Sequence, residues 1–406
     1  MSHTTEKLFF VDPYLRTFEA HIVEVQPLAQ GFGVILDKTA FYPEAGGQPC
    51  DQGKLQGHPV RQVFEENGMI VHVVENPFQK GEKITGEIDC EIRFDHMQQH
   101  SGQHLLSQTF LRLLNAETIG FHLGKEEVTI DLNIPNLSLE NVEKVENQAN
   151  QVVWENRAIR SYEKSPSELN TLPLRKLPEL SETIRIVEIE DYDWSCCCGT
   201  HVQSTGEIGL IKILKWEKYK GGMRVYFVCG NRALRDYRKK MHLLKSTSLL
   251  FTVGEEELPT RLEQWKNERK SLEKKLETTR ERLIEAEKEA WLSKAKTIPY
   301  GQLIFALFEN RDIEEIPLLA RKLIQQSKTI VLMGENTSKK LWMGCSNDTG
   351  LDLRHFQNIC AEKYQAKGGG GPCWMQWTFD HGEMFQKAFQ ELLSRVESME
   401  IGKENA

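Results

Sequence analysis

The amino-acid sequence predicts an α+β protein of four successive parts, and three observations predict it. Short β-branched runs separated by turn residues crowd the first 90 positions. Histidines at helical spacing open the next stretch, and a Cys/His turn answers them almost a hundred residues later. A charged helix with heptad spacing then leads into a final stretch where strands and helices alternate. The parts are a small β-barrel over 1–90, an α/β zinc-binding domain over 91–250, a coiled-coil helix over 255–295 and a C-terminal α/β domain with a Gly-rich loop over 296–406.

Composition sets the outer limits. At 406 residues the chain has room for two or three cores, and no apolar run approaches the roughly 20 residues needed to span a bilayer. The order Met1-Ser2-His3-Thr4-Thr5-Glu6-Lys7 lacks the basic and apolar pattern of a signal peptide, so a cytoplasmic location is expected. Nine cysteines, three of them consecutive at Cys196–Cys198, disfavour a disulfide framework and suit metal binding or buried thiols. Net charge is -8, so any contact with nucleic acid has to be local.

In the first part, Leu8-Phe9-Phe10, Phe18–Val25, Gly33–Leu36 and Met69–Val74 read as strands, for which a small barrel is the natural closure. Gly46-Gly47-Gln48 interrupts them with two residues free to take positive φ and one amide presented at the bend. A helix from about Asp95, as N-cap, to Leu113 follows, with Leu105, Leu106, Phe110, Leu113 and Leu114 as its apolar stripe. Strands Val128–Leu132 and Thr183–Ile189 flank a second helix near 139–155, and the latter strand runs on into the cysteine turn. A Lys-rich hairpin comes next, and then a helix over 232–245 with six positive charges (Arg232, Arg235, Arg238, Lys239, Lys240, Lys245) against Asp236. Its place beside the metal motifs favours phosphate contact, led by Arg235, Arg238 and Lys239.

The chemistry lies in two motifs. In His96-Met97-Gln98-Gln99-His100-Ser101-Gly102-Gln103-His104 the three histidines are four residues apart and project from one helix face as neighbouring imidazoles. Cys197-Cys198-Gly199-Thr200-His201 adds a thiolate and an imidazole, with Gly199 permitting a tight turn. Two helix histidines with one Cys and one His from a turn form a tetrahedral set that suits zinc better than magnesium, calcium or manganese. Peptidase chemistry of the HExxH kind is excluded, because Met97 and Ser101 occupy the positions where a general-base Glu would stand.

From Leu262 the sequence steps by three and four through Trp265, Arg269, Leu272, Leu276, Thr279, Leu283, Ala286 and Ala290, a heptad seam interrupted at Arg269 and Thr279 that serves either as a rod packed on its own chain or as a dimerising coiled coil. The last part alternates strands (303–308, 329–333, 340–345) with helices near 313–326 and 353–363, and ends in a helix near 381–399. Gly368–Gly371 is followed by Pro372 and lacks the Lys-Ser/Thr of a phosphate-binding Walker loop, so it is expected to be a flexible loop.

The order Gly46-Gly47-Gln48, His100-Ser101-Gly102-Gln103-His104, Cys197-Cys198-Gly199-Thr200-His201-Val202, coiled coil and Gly-rich tail resembles the long form of the AlaX-type alanyl-tRNA editing proteins, which are similar to the editing and C-terminal halves of alanyl-tRNA synthetase. The resemblance covers nearly the whole chain. It implies that His100, His104, Cys197 and His201 bind zinc, leaving His96 as a neighbour, and that Thr39, Gly46, Gly47 and Gln48 lie near the aminoacyl group. Where the family commonly has Cys-Gly-Gly-Thr-His, this chain places Cys198 at the first Gly.

The resemblance implies hydrolysis of Ser-tRNA(Ala), with Gly-tRNA(Ala) as a second substrate, at the aminoacyl acceptor end, without ATP. No carboxylate or Ser-His pair stands near the motifs in sequence as a base or nucleophile, which favours a zinc-associated water. Two rivals differ in class: removal of serine from threonine tRNA, as in the related threonyl-tRNA synthetase editing domain, and a non-catalytic RNA-binding protein with structural zinc. The expected protein partner is a second copy of the chain, in a homodimer through the coiled coil or the C-terminal domain.

Overall fold

In the computed structural model, which describes residues 4–169, 172–175 and 183–398, the alternating runs of the first part become antiparallel strands paired in a ring. Thr17–Pro27 pairs with Phe32–Leu36, and the order continues through Met69–Val74, His58–Glu66, Gly53–Leu55 and Lys83–Ile88 back to Thr17–Pro27, a closed barrel. Period-two alternation turns Phe18, Ala20 and Ile22 inward onto Val34, Leu36, Ile70 and Ile84. Leu8-Phe9-Phe10, expected as a strand, lies in one helical turn, Leu8–Val11, closed by the Asp12 N–H on the Leu8 carbonyl; it packs Phe9 edge-on against Tyr42.

Residues 45–48 form a two-residue hairpin in which the amides and carbonyls of Ala45 and Gln48 bond each other. Both central positions have positive φ, +58° at Gly46 and +83° at Gly47, which is why both are glycine.

The central helix runs over Cys90–Leu114, starting five residues earlier than Asp95 because the Asp89 carboxylate caps it, accepting from the Glu91 and Ile92 amides. Asp95 lies inside the helix and pairs with Arg232 at 2.6 Å. The helix is buried on nearly every side: Leu105, Leu106 and Phe110 share a core with Val128, Ile130 and Phe227. Its first turns are bound to the barrel domain by Arg93, which donates to Asp51 from Nε at 2.8 Å and to the Ala40 carbonyl, while Asp51 also accepts the Tyr42 amide.

Two small sheets complete the first compact unit, Met1–Leu250. One orders strands Ile211–Tyr219, Gly222–Cys229, Val128–Leu132 and Thr118–Leu123; the other orders Ile159–Lys164, Ile184–Ile189 and Asp193–Cys196. The basic helix is Gly230–Phe251. Arg232 is buried in it, donating to Asp95 and to the Gly124 carbonyl, so it is removed from the expected charged face; Arg235, Arg238 and Lys239 are exposed.

In the second unit, Phe251–Ala406, a mixed sheet orders strands Lys296–Ile298, Gly301–Phe308, Thr329–Glu335, Lys340–Cys345, Trp374–Thr378 and Lys367–Gly371, with one parallel pair, Gly301–Phe308 beside Thr329–Glu335. The four glycines are an edge strand rather than a loop. Cβ atoms at Gly368 and Gly370 would fall 2.2 Å from the Gln376 carbonyl oxygen and 2.0 Å from that of Trp374, so only glycine permits this approach. The long helix is Leu258–Ser293; Ile284, Trp291 and Leu292 join a core, while Leu262, Trp265, Leu272, Leu276 and Leu283 are exposed. The helix expected near 353–363 is two short irregular turns, Leu353–Phe356 and Ile359–Lys363. The terminal helix is Gly382–Ser398, and Met399 lies outside the described residues.

Candidate metal centre

The fold brings one turn of the central helix against the turn that follows strand Asp193–Cys196. There the ligand atoms of His100, His104, Cys197 and His201 lie within 4.8 Å of one another. The Cys197 sulfur is 3.4 Å from Nε2 of His100 and 3.4 Å from Nε2 of His201. The imidazoles of His100 and His104 stack at 5.1 Å with 13° between planes, as the four-residue step requires.

The second nitrogen of each ring decides which atom is left for a cation. Nδ1 of His100 donates to Gln48 Oε1 at 2.7 Å, so its Nε2 carries the lone pair. Nδ1 of His201 meets Ser101 Oγ at 3.3 Å. Nε2 of His104 is buried with no hydrogen-bond partner among the described residues, a costly state for a polar atom unless a ligand completes it. Its Nδ1 is contacted by Arg175 at 2.8 Å and by the Asp193 carboxylate at 3.5 Å. Burial raises the Cys197 thiol, but the three imidazoles outweigh it and hold the thiol well below its ordinary value. Burial depresses His201 to about 3, which keeps the ring neutral. A thiolate, a neutral His201 ring, the free Nε2 lone pair of His100 and the orphaned Nε2 of His104 converging in this way fit zinc.

Gly199 has an ordinary φ, so the tight turn does not explain it. A Cβ there would lie 2.2 Å from His100 Cε1 and 2.9 Å from Gln48 Oε1, so the glycine makes room for the ligand ring. Gln48 reaches across from the barrel hairpin, donating to Thr200 Oγ1 at 2.9 Å and accepting from the Thr200 amide at 3.3 Å. Arg185 donates to the carbonyls of Cys197 at 2.8 Å and Gly199 at 3.0 Å, fixing the turn from the other side.

A cavity of about 420 Å³ opens beside the cluster, lined by Tyr42, Ala45, Gly46, His100, Arg185 and Cys197 among others. Gly46 is therefore on the wall, while Gln48 does not line the cavity and instead bonds the His100 ring. Gly47 backs onto strand Thr118–Leu123, where a Cβ would come 2.9 Å from the Phe121 carbonyl oxygen. Thr39 does not line the cavity: it is fully buried and its Oγ1 bonds Nε2 of His72 at 2.8 Å while accepting the Phe41 amide. His96 lies outside the cluster, as do Cys196 and Cys198. Arg235, Arg238 and Lys239 sit on the basic helix and line neither the cluster nor this cavity.

The structure supplies partners that sequence reasoning missed. Asp193, four residues before Cys197, is buried against His104, and Arg175 pairs with it at 2.7 Å. Ser101 stands beside His201. The sequence signal for Asp193 was its place at the start of the strand that delivers Cys197; nothing marked Arg175, whose partners come from distant positions.

Residues 184–226 match the family profile described as the threonyl and alanyl tRNA synthetase second additional domain, and residues 14–92 match one described as tRNA synthetases class II (A). The chain is 31% identical over 386 residues to the alanyl-tRNA editing protein AlaX-L of Pyrococcus horikoshii, covering 90% of this chain and 92% of that one. It is 30% identical to the alanyl-tRNA editing protein Aarsd1-B of Xenopus laevis, covering 92% and 91%. Against the alanine–tRNA ligase of Pyrococcus abyssi it is 32% identical, and the match spans 40% of that enzyme. The chain belongs to the family of alanyl-tRNA editing proteins.

Proposed function

We propose that the protein is an aminoacyl-tRNA deacylase acting in trans: water cleaves the ester joining serine or glycine to the 3′ end of alanine tRNA, releasing the amino acid and the free ribose hydroxyl. The observation that carries this reading is the convergence of His100, His104, Cys197 and His201 at the wall of a cavity about 420 Å³ in volume. That is a size for a nucleoside and a small amino acid. Such an activity answers a real need, since a synthetase pocket separates amino acids differing by a methylene or hydroxyl by only about 1–3 kcal/mol.

His100, His104, Cys197 and His201 would hold zinc, which when bound supplies a Lewis acid beside the ester. The remaining work belongs to the chain. Gln48 fixes the His100 ring and, through Thr200, ties the hairpin wall to the ligand turn. Arg185 holds the carbonyls of Cys197 and Gly199, so the ligand turn keeps its shape, and the Gly199 amide donates to the Cys197 sulfur at 3.3 Å. Asp193 and Arg175 set the orientation of His104. The exposed cations Arg235, Arg238 and Lys239 are assigned to phosphates of the tRNA. The convergence of four donors is also what a purely structural zinc requires, so the test has to read chemistry: single-turnover release of serine from Ser-tRNA(Ala), expected with the wild type and lost in Cys197→Ala.

A further inference from the structure

A second cavity, of about 330 Å³, lies within the first unit, lined by Gln52, Asp95, His96, Lys125, Asn231 and Arg235 with Glu91, Ile92 and Arg232. It belongs neither to the ligand cluster nor to the cavity beside it. We infer that it is a nucleotide subsite, taking the sugar-phosphate that precedes the terminal adenosine in the single-stranded 3′ end of tRNA; this rests on the deacylase reading above.

His96 is the group that asks for a ligand. It lines this cavity, the residue is 8% exposed, and its buried Nδ1 has no hydrogen-bond partner among the described residues. An unpaired polar nitrogen in such a place carries a desolvation cost that a ligand hydroxyl or phosphate oxygen removes. The floor is preformed. Arg232 is committed to Asp95 at 2.6 Å and to the Gly124 carbonyl at 2.7 Å, which cancels the Asp95 charge and holds the neighbouring Lys125 at the cavity wall. The remaining charges are the cations of Lys125 and Arg235 against Glu91. Arg235 is 63% exposed and 4.0 Å from Asp95, a long contact that leaves its guanidinium available.

Position supplies the ligand's identity. His96 precedes the metal-site residue His100 by four positions on one helix, about 6 Å along its axis. That separation is about the length of one nucleotide, so with a terminal ester at His100 the proposal assigns the preceding phosphate to the cations of this cavity, Lys125 and Arg235. A polar, net-cationic pocket with a buried imidazole matches that chemistry and would repel an apolar peptide.

The test is the affinity of the RNA trinucleotide CCA and of adenosine, measured by calorimetry over a range of salt. The wild type is expected to bind CCA at least tenfold more tightly than adenosine. In Lys125→Ala/Arg235→Ala, whose changes are both at the surface, CCA should bind about tenfold more weakly, with the salt slope falling by about 0.7 for each phosphate no longer neutralised. His96→Ala should weaken CCA severalfold while zinc content stays the same. Wild-type affinities that do not distinguish CCA from adenosine, or a double variant that binds CCA as the wild type does, overturn the subsite. A wild type that binds CCA through these residues yet releases no amino acid from charged tRNA leaves the subsite standing and removes the deacylase reading.

Discussion

Gln48 Oε1 accepts a hydrogen bond from Nδ1 of His100 at 2.7 Å, joining the barrel hairpin to the central helix across 52 positions of sequence. Outer contacts of this kind fix the tautomer and orientation of a ligating imidazole. Gln48→Ala is expected to lower zinc affinity about 10–100-fold with little change in thermal stability. Competition against a chromophoric chelator measures it, and an unchanged affinity would show that His100 is oriented by its helix alone.

Gly199 gives an independent check on the same ring. Gly199→Ala places a methyl 2.2 Å from His100 Cε1, so either the turn or the imidazole has to move. Zinc content, about one per chain in the wild type, should fall in Gly199→Ala and disappear in His104→Ala and Cys197→Ala. Elemental analysis decides, and full zinc in the two ligand variants would transfer the site to other donors.

Thr39 and His72 form a buried pair inside the barrel domain. Nδ1 of His72 donates to the Val34 carbonyl at 2.9 Å, so Nε2 accepts from the Thr39 hydroxyl. Thr39→Val leaves that nitrogen unpaired, a cost of about 1–3 kcal/mol. It should slow hydrolysis of seryl and alanyl esters alike; a changed ratio would show the hydroxyl reaching the amino acid instead.

Burial also lowers His72 to about 4. The unfolded chain takes up this proton first, so the contribution is complete above pH 6.5 and is lost as pH falls through 4, about 2 kcal/mol of it by pH 5. Between pH 7 and pH 5 the urea midpoint of the wild type should fall further than that of His72→Gln, the difference corresponding to this loss; equal falls would contradict it.

On the basic helix, Arg235→Ala/Arg238→Ala/Lys239→Ala should weaken tRNA binding about tenfold or more and flatten its salt dependence while zinc content is retained. If filter binding shows no effect, and truncation after Leu249 abolishes binding, the tRNA body is held by the second unit.

Much of this was legible in sequence because its signals are local. Four-residue spacing put His100 and His104 on one face, and Gly46-Gly47 wrote its own hairpin. What escaped depends on contacts between distant segments. The need for Gly199 comes from a ring 99 positions earlier, and Arg232 left the charged face because Asp95 lay waiting in another helix. Gly368–Gly371 read as a loop by composition, yet pairing with Trp374–Thr378 makes it a strand. His96 matched the spacing of the ligands, but the Cys197 turn closes on the two histidines after it.

Whether the protein is a deacylase of alanine tRNA is decided by incubating the zinc-loaded protein with alanine tRNA charged with serine, glycine or alanine and measuring amino-acid release. Serine and glycine should be released, and alanine released about 10–200-fold more slowly, the range one small side-chain difference permits. Intact Ser-tRNA(Ala) alongside cleavage of Ser-tRNA(Thr) would move the activity to the threonine system; zinc and tRNA bound with no ester cleaved would contradict it altogether.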